Sequence, residues 1–241
     1  MANILREYVL PVTVASYDVG PDDRMRLSAV LRYQQEAAEQ HLAPAGMGWN
    51  ALMKDGIAFV ASRWHTVIRR LPRMGEAVTV TTWHRERKGP RFFRCFCWQD
   101  AAGEELLRGV MQYALVAVED HRLLRGDEFD RYGITEQPGR TVGCADPGKW
   151  KVPPTVPVEE LTVRWSDTDR NGHLNNTRFA DLACDGMPGG MTDRTLTDVE
   201  LYFAGEARLG ERLYLENAVA DGDAFVTGHT DRGATFAARM R

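Results

Sequence analysis

Apolar residues recur along this chain with two different periods. Leu27, Val30, Leu31, Ala37, Ala38 and Leu42 fall at three-to-four spacing, which predicts an amphipathic helix with Ser28 as its cap and Pro44-Ala45-Gly46 as its stop. Ahead of it, residues 8–17 alternate as a strand does. Four strand-like runs follow, at about 57–71, 75–84, 91–100 and 105–118, separated by turn signals at 72–75, 88–90 and 100–103. The predicted order is strand, helix, four strands.

The second half replays that order. Residues 161–165 read as a strand, 175–184 as a short helix broken by Gly186 and Gly190, and four strands follow near 196–207, 211–219, 223–230 and 234–240. Arg73-Met74-Gly75-Glu76 matches Arg208-Leu209-Gly210-Glu211 at an offset of 135 residues. Asp100-Ala101-Ala102-Gly103 answers to Asp231-Arg232-Gly233 at nearly the same separation, one residue shorter. Two matches in order, inside one element order, indicate a duplication. Between the copies, residues 119–158 carry five of the eleven prolines, too long and irregular a connection for the inside of one compact unit. The fold class expected is α+β: a tandem (double) hot-dog, each module a central helix wrapped by an antiparallel sheet. The division expected is residues 1–130 for the first module, 131–157 for the connector and 158–241 for the second.

Composition narrows the class further. With 241 residues, 44% hydrophobic and 27% charged, the chain can bury a real core, and collagen, short disulfide scaffolds and disordered tails are excluded. Apolar runs such as residues 57–61 fall far short of the roughly 18 residues a spanning helix needs. Residues 1–7 show no export signal, and the expectation is a cytoplasmic protein with no membrane association. The four cysteines form no CxxC pair and no zinc-spaced cluster with histidine, so reduced structural thiols and no metal are expected.

Net charge is −4, against a general nucleic-acid binder. Its distribution is uneven. From Arg63 to Arg94 nine positive residues stand against two negative ones, a local +7. Such a stretch is either the wet face of strands or a docking surface for something acidic.

Candidate chemistry concentrates in residues 164–185. Asp169, Asn171, His173 and Asn175 alternate, so an extended backbone would put them on one face at a strand-to-helix junction. Asn175 or Asn176 would then cap the next helix, whose free N–H groups can polarise a carbonyl oxygen. The competing reading is an Asx-rich turn that only caps. The histidines at 41, 65, 84, 121 and 229 show no clustered partners in the sequence and receive no role.

Asp169-Arg170-Asn171-Gly172-His173-Leu174-Asn175-Asn176 resembles the Asp-x-Asn-x-His-x-Asn-Asn signature of the acyl-acyl-carrier-protein thioesterases, and Gly205-Glu206-Ala207-Arg208-Leu209-Gly210 resembles that family's second active-site segment. Arg26-Leu27-Ser28 through Gln35-Glu36-Ala37-Ala38, and Ser62-Arg63-Trp64 through Arg73-Met74-Gly75-Glu76, resemble its N-terminal module. The resemblance implies a hydrolase without cofactor that cleaves fatty acyl thioesters of acyl carrier protein, with catalytic residues Asp169, Asn171, His173 and Glu206 in the second module. Plant members often carry a cysteine after the glutamate; here Ala207 stands there. That favours water over an acyl-cysteine. Glu206 is then expected to activate or position the water from a buried place beside apolar walls, with His173 assisting proton transfer. Asp169 would orient Asn171, and Asn171 would hold the thioester carbonyl or the water.

On this reading Asn175 and Asn176 bind substrate at the helix start, and Arg69, Arg70, Arg73, Arg85, Arg87 and Lys88 form a basic rim for the acidic carrier. Trp64, Phe92, Phe93, Phe96 and Trp98 line an acyl tunnel or are simply core. Two fused modules already supply the pairing that single ones reach by dimerising, which leaves monomer and homodimer both open. The alternatives are an acyl-CoA thioesterase, an acyl-chain dehydratase, and a non-catalytic acyl-thioester sensor.

Overall fold

The computed structural model describes residues 6–241; residues 1–5, part of the stretch read for an export signal, lie outside it. The first half runs β1 (Tyr8–Thr13), α1 (Leu27–Leu42), α2 (Trp49–Lys54), β2 (Ile57–Ile68), β3 (Ala77–Lys88), β4 (Arg91–Asp100) and β5 (Glu105–Ala117). The second runs β6 (Val156–Thr162), α3 (Arg178–Asp185), β7 (Asp198–Phe203), β8 (Arg212–Ala220), β9 (Asp223–Thr230) and β10 (Gly233–Met240). No helix among the described residues is long and apolar enough to cross a membrane.

All ten strands form one antiparallel sheet in the order β1-β3-β4-β5-β2-β7-β10-β9-β8-β6. Read outward from the middle, the two halves have the same plan: the first strand of each half lies at an outer edge and the second at the central seam. At that seam β2 pairs with β7 from Arg63↔Tyr202 to Val67↔Asp198, which merges the two modules into one sheet. This is the double hot-dog expected.

Helices α1 and α3 pack on one face, and one core runs through both halves, from Val30, Trp64, Phe96 and Trp98 to Phe179, Leu201 and Phe236. Phe179 of α3 and Phe236 of β10 stack at 4.9 Å, and truncating either would cost about 3–5 kcal/mol. Strand β4 shows how alternation works here. Phe96 and Trp98 point into the helix-covered core, while Phe93 and Cys95 point to the opposite face. That face is not wet. Val142 and Cys144 of the connector pack on it with Trp83 and Val110, so β4 is buried on both sides.

Several local expectations are corrected. Ser28 does not cap α1: the helix starts after Arg26, whose N–H is held by the Asp18 carbonyl, and the Ser28 hydroxyl is buried in the first turn. The helix does end at the predicted stop, with Gly46 left-handed at φ 73°. Strand β6 lies earlier than predicted and ends before Trp165, which is 81% exposed in a single 3-10 turn. Helix α3 starts three residues late, because Asn175 first folds a turn against Thr177. Helix α2 carries no three-to-four apolar pattern of helical length and was not predicted.

Candidate active site

The segment 164–177 is a tight loop rather than an extended strand. Thr168 bridges Leu174, the Asp169 N–H donates to the His173 carbonyl at 2.8 Å, and the Gly172 N–H returns to the Asp169 carbonyl at 3.0 Å. Gly172 takes φ 76°, a left-handed conformation that glycine adopts at no steric cost and that Asp23 takes at φ 62° in the corresponding loop of the first half. The loop then pairs with the segment after β7: residue 173 bridges residue 208, and the Leu174 N–H reaches the Ala207 carbonyl at 2.7 Å. Alternation therefore does not align the polar residues. The turn and the bridge do.

The geometry that results is compact. His173 Nε2 lies 3.2 Å from Glu206 Oε2, and Arg208 stands 3.8 Å from the same oxygen. Asp169 accepts the Asn171 backbone N–H at 2.8 Å and its side-chain amide at 3.4 Å. Arg232 donates to the Glu206 carbonyl at 2.9 Å and pairs with Glu211, which fixes the backbone carrying Glu206. The apolar enclosure expected for Glu206 is not found: its side chain is 35% exposed and faces two bases, His173 and Arg208.

The first half contains the same loop without the chemistry. Val19 bridges Met25, Arg24 bridges Arg73, and the Met25 N–H reaches the Pro72 carbonyl at 2.8 Å, answering to the 168–174, 173–208 and 174–207 contacts. At the places of Asp169, Asn171 and His173 stand Gly20, Asp22 and Arg24, and Leu71 lies at the 135-residue offset from Glu206. Glu76 and Glu211 hold equivalent turns, accepting the N–H of Arg73 at 3.0 Å and of Arg208 at 2.8 Å. The clearest sequence repeat is thus a turn-holding device present twice, beside a polar cluster present once.

Asp169, Asn171, His173 and Glu206 all line one cavity of about 520 Å³. Its other walls come mainly from the first half, including Leu31, Leu42, Phe59, Phe92, Met111 and Val116. Of the five aromatics read as either tunnel or core, Phe92 lines the cavity; Trp64, Phe96 and Trp98 are core, and Phe93 faces the connector. Trp49 of the unpredicted α2 lines it too, with Arg170 stacked 4.3 Å from its ring centre. Asn176 faces the cavity. Asn175 does not: its side-chain oxygen accepts the Thr177 N–H and hydroxyl, both at 2.9 Å, an Asx turn ahead of α3.

The residues expected to form a basic rim fall at two places. Arg69, Arg70 and Arg73 lie between β2 and β3, paired with Glu105, with Glu76 and Asp100, and with Asp23. Arg85, Arg87 and Lys88 lie at the far end of β3, paired with Glu86, Asp146, Asp130 and Glu136. Arg85 is buried as well. Folding splits these six residues into two groups, each paired both with an acid of the same stretch, Glu76 or Glu86, and with acids outside it such as Glu105, Asp130 and Asp146.

Three histidines set aside earlier, His41, His65 and His84, have clustered partners. His65 Nε2 is 3.1 Å from Asp198, and its Nδ1 is 2.8 Å from the Ala145 carbonyl and 3.3 Å from Cys144 Sγ. Burial opposes charge on this ring, but hydrogen bonding with Asp198 and Cys144 outweighs it and lifts the pKa to about 10. Adjacent Glu200 is committed to Arg239 and to the Gly148 N–H. None of these groups lines the cavity, and together they pin the connector over the seam. His84 packs against Arg94; burial, then that neighbouring charge, push its pKa well below the usual value. Strand alternation alone would have placed His84 and Arg94 on the inner face.

Comparison with known proteins follows the same lines. Residues 7–128 match the family model "Acyl-ACP thioesterase N-terminal domain" and residues 154–239 match "Acyl-ACP thioesterase C-terminal domain". A chloroplastic palmitoyl-acyl carrier protein thioesterase of Arabidopsis thaliana is 26% identical over 196 residues, covering 76% of this chain and 47% of that protein. A chloroplastic dodecanoyl-[acyl-carrier-protein] hydrolase of Cinnamomum camphora is 28% identical over 188 residues, covering 73% and 49%. The chain spans about half the length of these curated relatives. Two solved structures share the fold: an acyl-ACP thioesterase from Bacteroides thetaiotaomicron (TM-score 0.88, 19% identity, 98% of this chain and 97% of that one) and the 12:0-ACP thioesterase from Umbellularia californica (0.82, 22%, 98% and 96%).

Proposed function

This chain belongs to the acyl-ACP thioesterase family, and from that premise we propose that it hydrolyses the thioester of fatty acyl chains carried on acyl carrier protein, releasing fatty acid and carrier thiol. The observation that carries the reading is the shared cavity, in which apolar walls large enough for an alkyl chain meet the His173–Glu206 pair and the Asp169–Asn171 pair.

A thioester has a good leaving group, so a positioned water, a base and one stabiliser of the developing oxyanion suffice. Glu206 Oε2 and His173 Nε2 stand 3.2 Å apart, which suits removal of a proton from water at one and delivery of a proton to the departing sulfur from the other. Asp169 locks Asn171, whose amide then faces either the thioester carbonyl or the attacking water. Ala207 follows Glu206, and the only cysteine nearby in sequence, Cys184, lies on α3 with its pKa pushed by burial up to about 12. Neither supplies a thiolate nucleophile, which supports the water route. The four unpaired cysteines fit a reducing compartment, and we place the reaction in the cytoplasm.

The test is thiol release from acyl carrier protein and coenzyme A thioesters of graded chain length, for the wild type, Glu206→Ala and His173→Ala. Turnover of carrier thioesters that is lost in both variants is the expected result. Faster turnover of the coenzyme A series would move the substrate to acyl-CoA, and binding without thiol release would make the protein a sensor.

A further inference from the structure

Arg85 and Arg94 are the two buried arginines of this chain, and their surroundings differ. Arg85, 4% exposed, is met by Asp146 at 2.6 Å and Glu86 at 3.0 Å. Arg94, 2% exposed on β4, has no carboxylate within ion-pairing distance among the described residues. Its contacts are the neutral Thr82 hydroxyl at 3.2 Å, His41 Nδ1 at 3.0 Å and His84 Nε2. Those three acceptors use three of the five guanidinium hydrogens. Burial pulls its pKa down only to about 10, so the group is charged at neutral pH, and His84 accepts its hydrogen bond as a neutral ring.

An unneutralised buried cation is costly unless something completes it. Arg94 and His84 both line the same cavity as His173 and Glu206. They lie on β4 and β3, while Glu206 follows β7; β4 and β7 are three strand steps apart, about 14 Å at some 4.8 Å per strand. The cavity therefore has a hydrolytic end bearing carboxylates, apolar walls between, and a positive charge at a distance from the thioester. Glu39, the other acid on its lining, is exposed and already accepts the Trp49 N–H.

We propose that this cavity is shaped for an acyl chain whose far end carries a carboxylate, an ω-carboxyacyl thioester, with Arg94 as the residue that reads that end. The inference rests on the thioesterase reading and names a substrate class within it. A methyl-ended chain brings only hydrocarbon against the charge, whereas an ω-carboxylate accepts the two spare N–H groups and neutralises it. Sites that hydrogen-bond a substrate group discriminate far more strongly against its absence than apolar pockets do against an extra methylene.

The experiment measures kcat/KM for ω-carboxyacyl and methyl-ended thioesters of acyl carrier protein at matched lengths, with wild type, Arg94→Met and Arg94→Lys. At the best-fitting length the wild type is expected to prefer the ω-carboxyacyl substrate by at least about tenfold, Arg94→Lys to keep part of that preference and Arg94→Met to reverse it. Equal or faster turnover of methyl-ended chains by the wild type overturns the proposal without touching the thioesterase reading, and needs no variant to fold. If neither series is hydrolysed, the thioesterase reading fails. Calorimetry of wild type with free α,ω-dicarboxylic and monocarboxylic acids then decides the pocket separately: tighter binding of the diacid supports Arg94's role, and equal binding makes Arg94 a clasp between α1, β3 and β4 only.

Discussion

His173 Nε2 and Glu206 Oε2 face each other at 3.2 Å across the bridge that joins residue 173 to residue 208, so two segments more than thirty residues apart deliver one acid–base pair. Both side chains are partly exposed, and an ion pair in such a place contributes only about 0–1 kcal/mol to stability. On the proposed function its importance is catalytic rather than structural. Glu206→Gln and His173→Ala are each expected to lower kcat by about 10²–10⁴-fold while the melting temperature barely moves. Thiol release beside thermal melting checks this; near wild-type turnover in either variant removes that residue from the mechanism.

Asp169 and Asn171 are expected to act as one unit. The carboxylate holds both the backbone N–H and the side-chain amide of Asn171, so removing either partner loses the same placed dipole. Asn171→Ala should cost about 10²–10³ in kcat, as loss of a single oxyanion donor does. Asp169→Ala should cost nearly as much, and the double variant little more than the worse single one. Additive losses in a double-mutant cycle would show that the two residues work independently.

Gly205 sets the backbone of Glu206 against β10. A Cβ at position 205 would sit 2.7 Å from the Ala234 carbonyl oxygen, and a backbone atom cannot swing aside as a flexible side chain does. Gly205→Ala must therefore push residues 204–206 away from the strand, and misplacement by about 1 Å costs up to about 10²-fold in rate. The expected result is a fall in kcat with KM little changed, in a protein that still melts cooperatively. Unaltered kcat would mean that Glu206 tolerates displacement.

Much of this was legible in the chain, for identifiable reasons. Helix α1 came out with its observed end, and strands β4 and β9 with both limits, because their periods are unbroken and glycine, proline or aspartate marks the ends. The polar cluster was legible as composition, but its arrangement was not: alternation suggested one extended face, while the turn closed by Gly172 does the alignment. The surroundings of the basic stretch were not legible, because local charge counts ignore acids such as Asp130 and Asp146, which only the folded connector brings to Arg87 and Arg85. The same connector hid the His65 cluster, since Cys144 and Asp198 lie 79 and 133 residues from that histidine.

That cluster gives the connector a pH-dependent hold on the seam. His65 titrates near 10 in the fold against an ordinary value of about 6.5, so the stability it contributes is complete below about 6.5 and declines as pH rises, to be lost above about 10. Asp198 is held below the ordinary carboxylate range chiefly by its hydrogen bond with His65, so its share is present above that range and lost in acid. Between those limits Asp198→Asn should cost about 2 kcal/mol, the size of a hydrogen bond to a charged group. Denaturant unfolding of wild type and Asp198→Asn from about pH 6 to about pH 11 should show the difference narrowing as His65 loses its proton. Turnover at neutral pH should be unchanged, since none of these groups lines the cavity. Stability curves that stay parallel across that range would mean that His65 is uncharged in the fold and that the connector is held by packing alone.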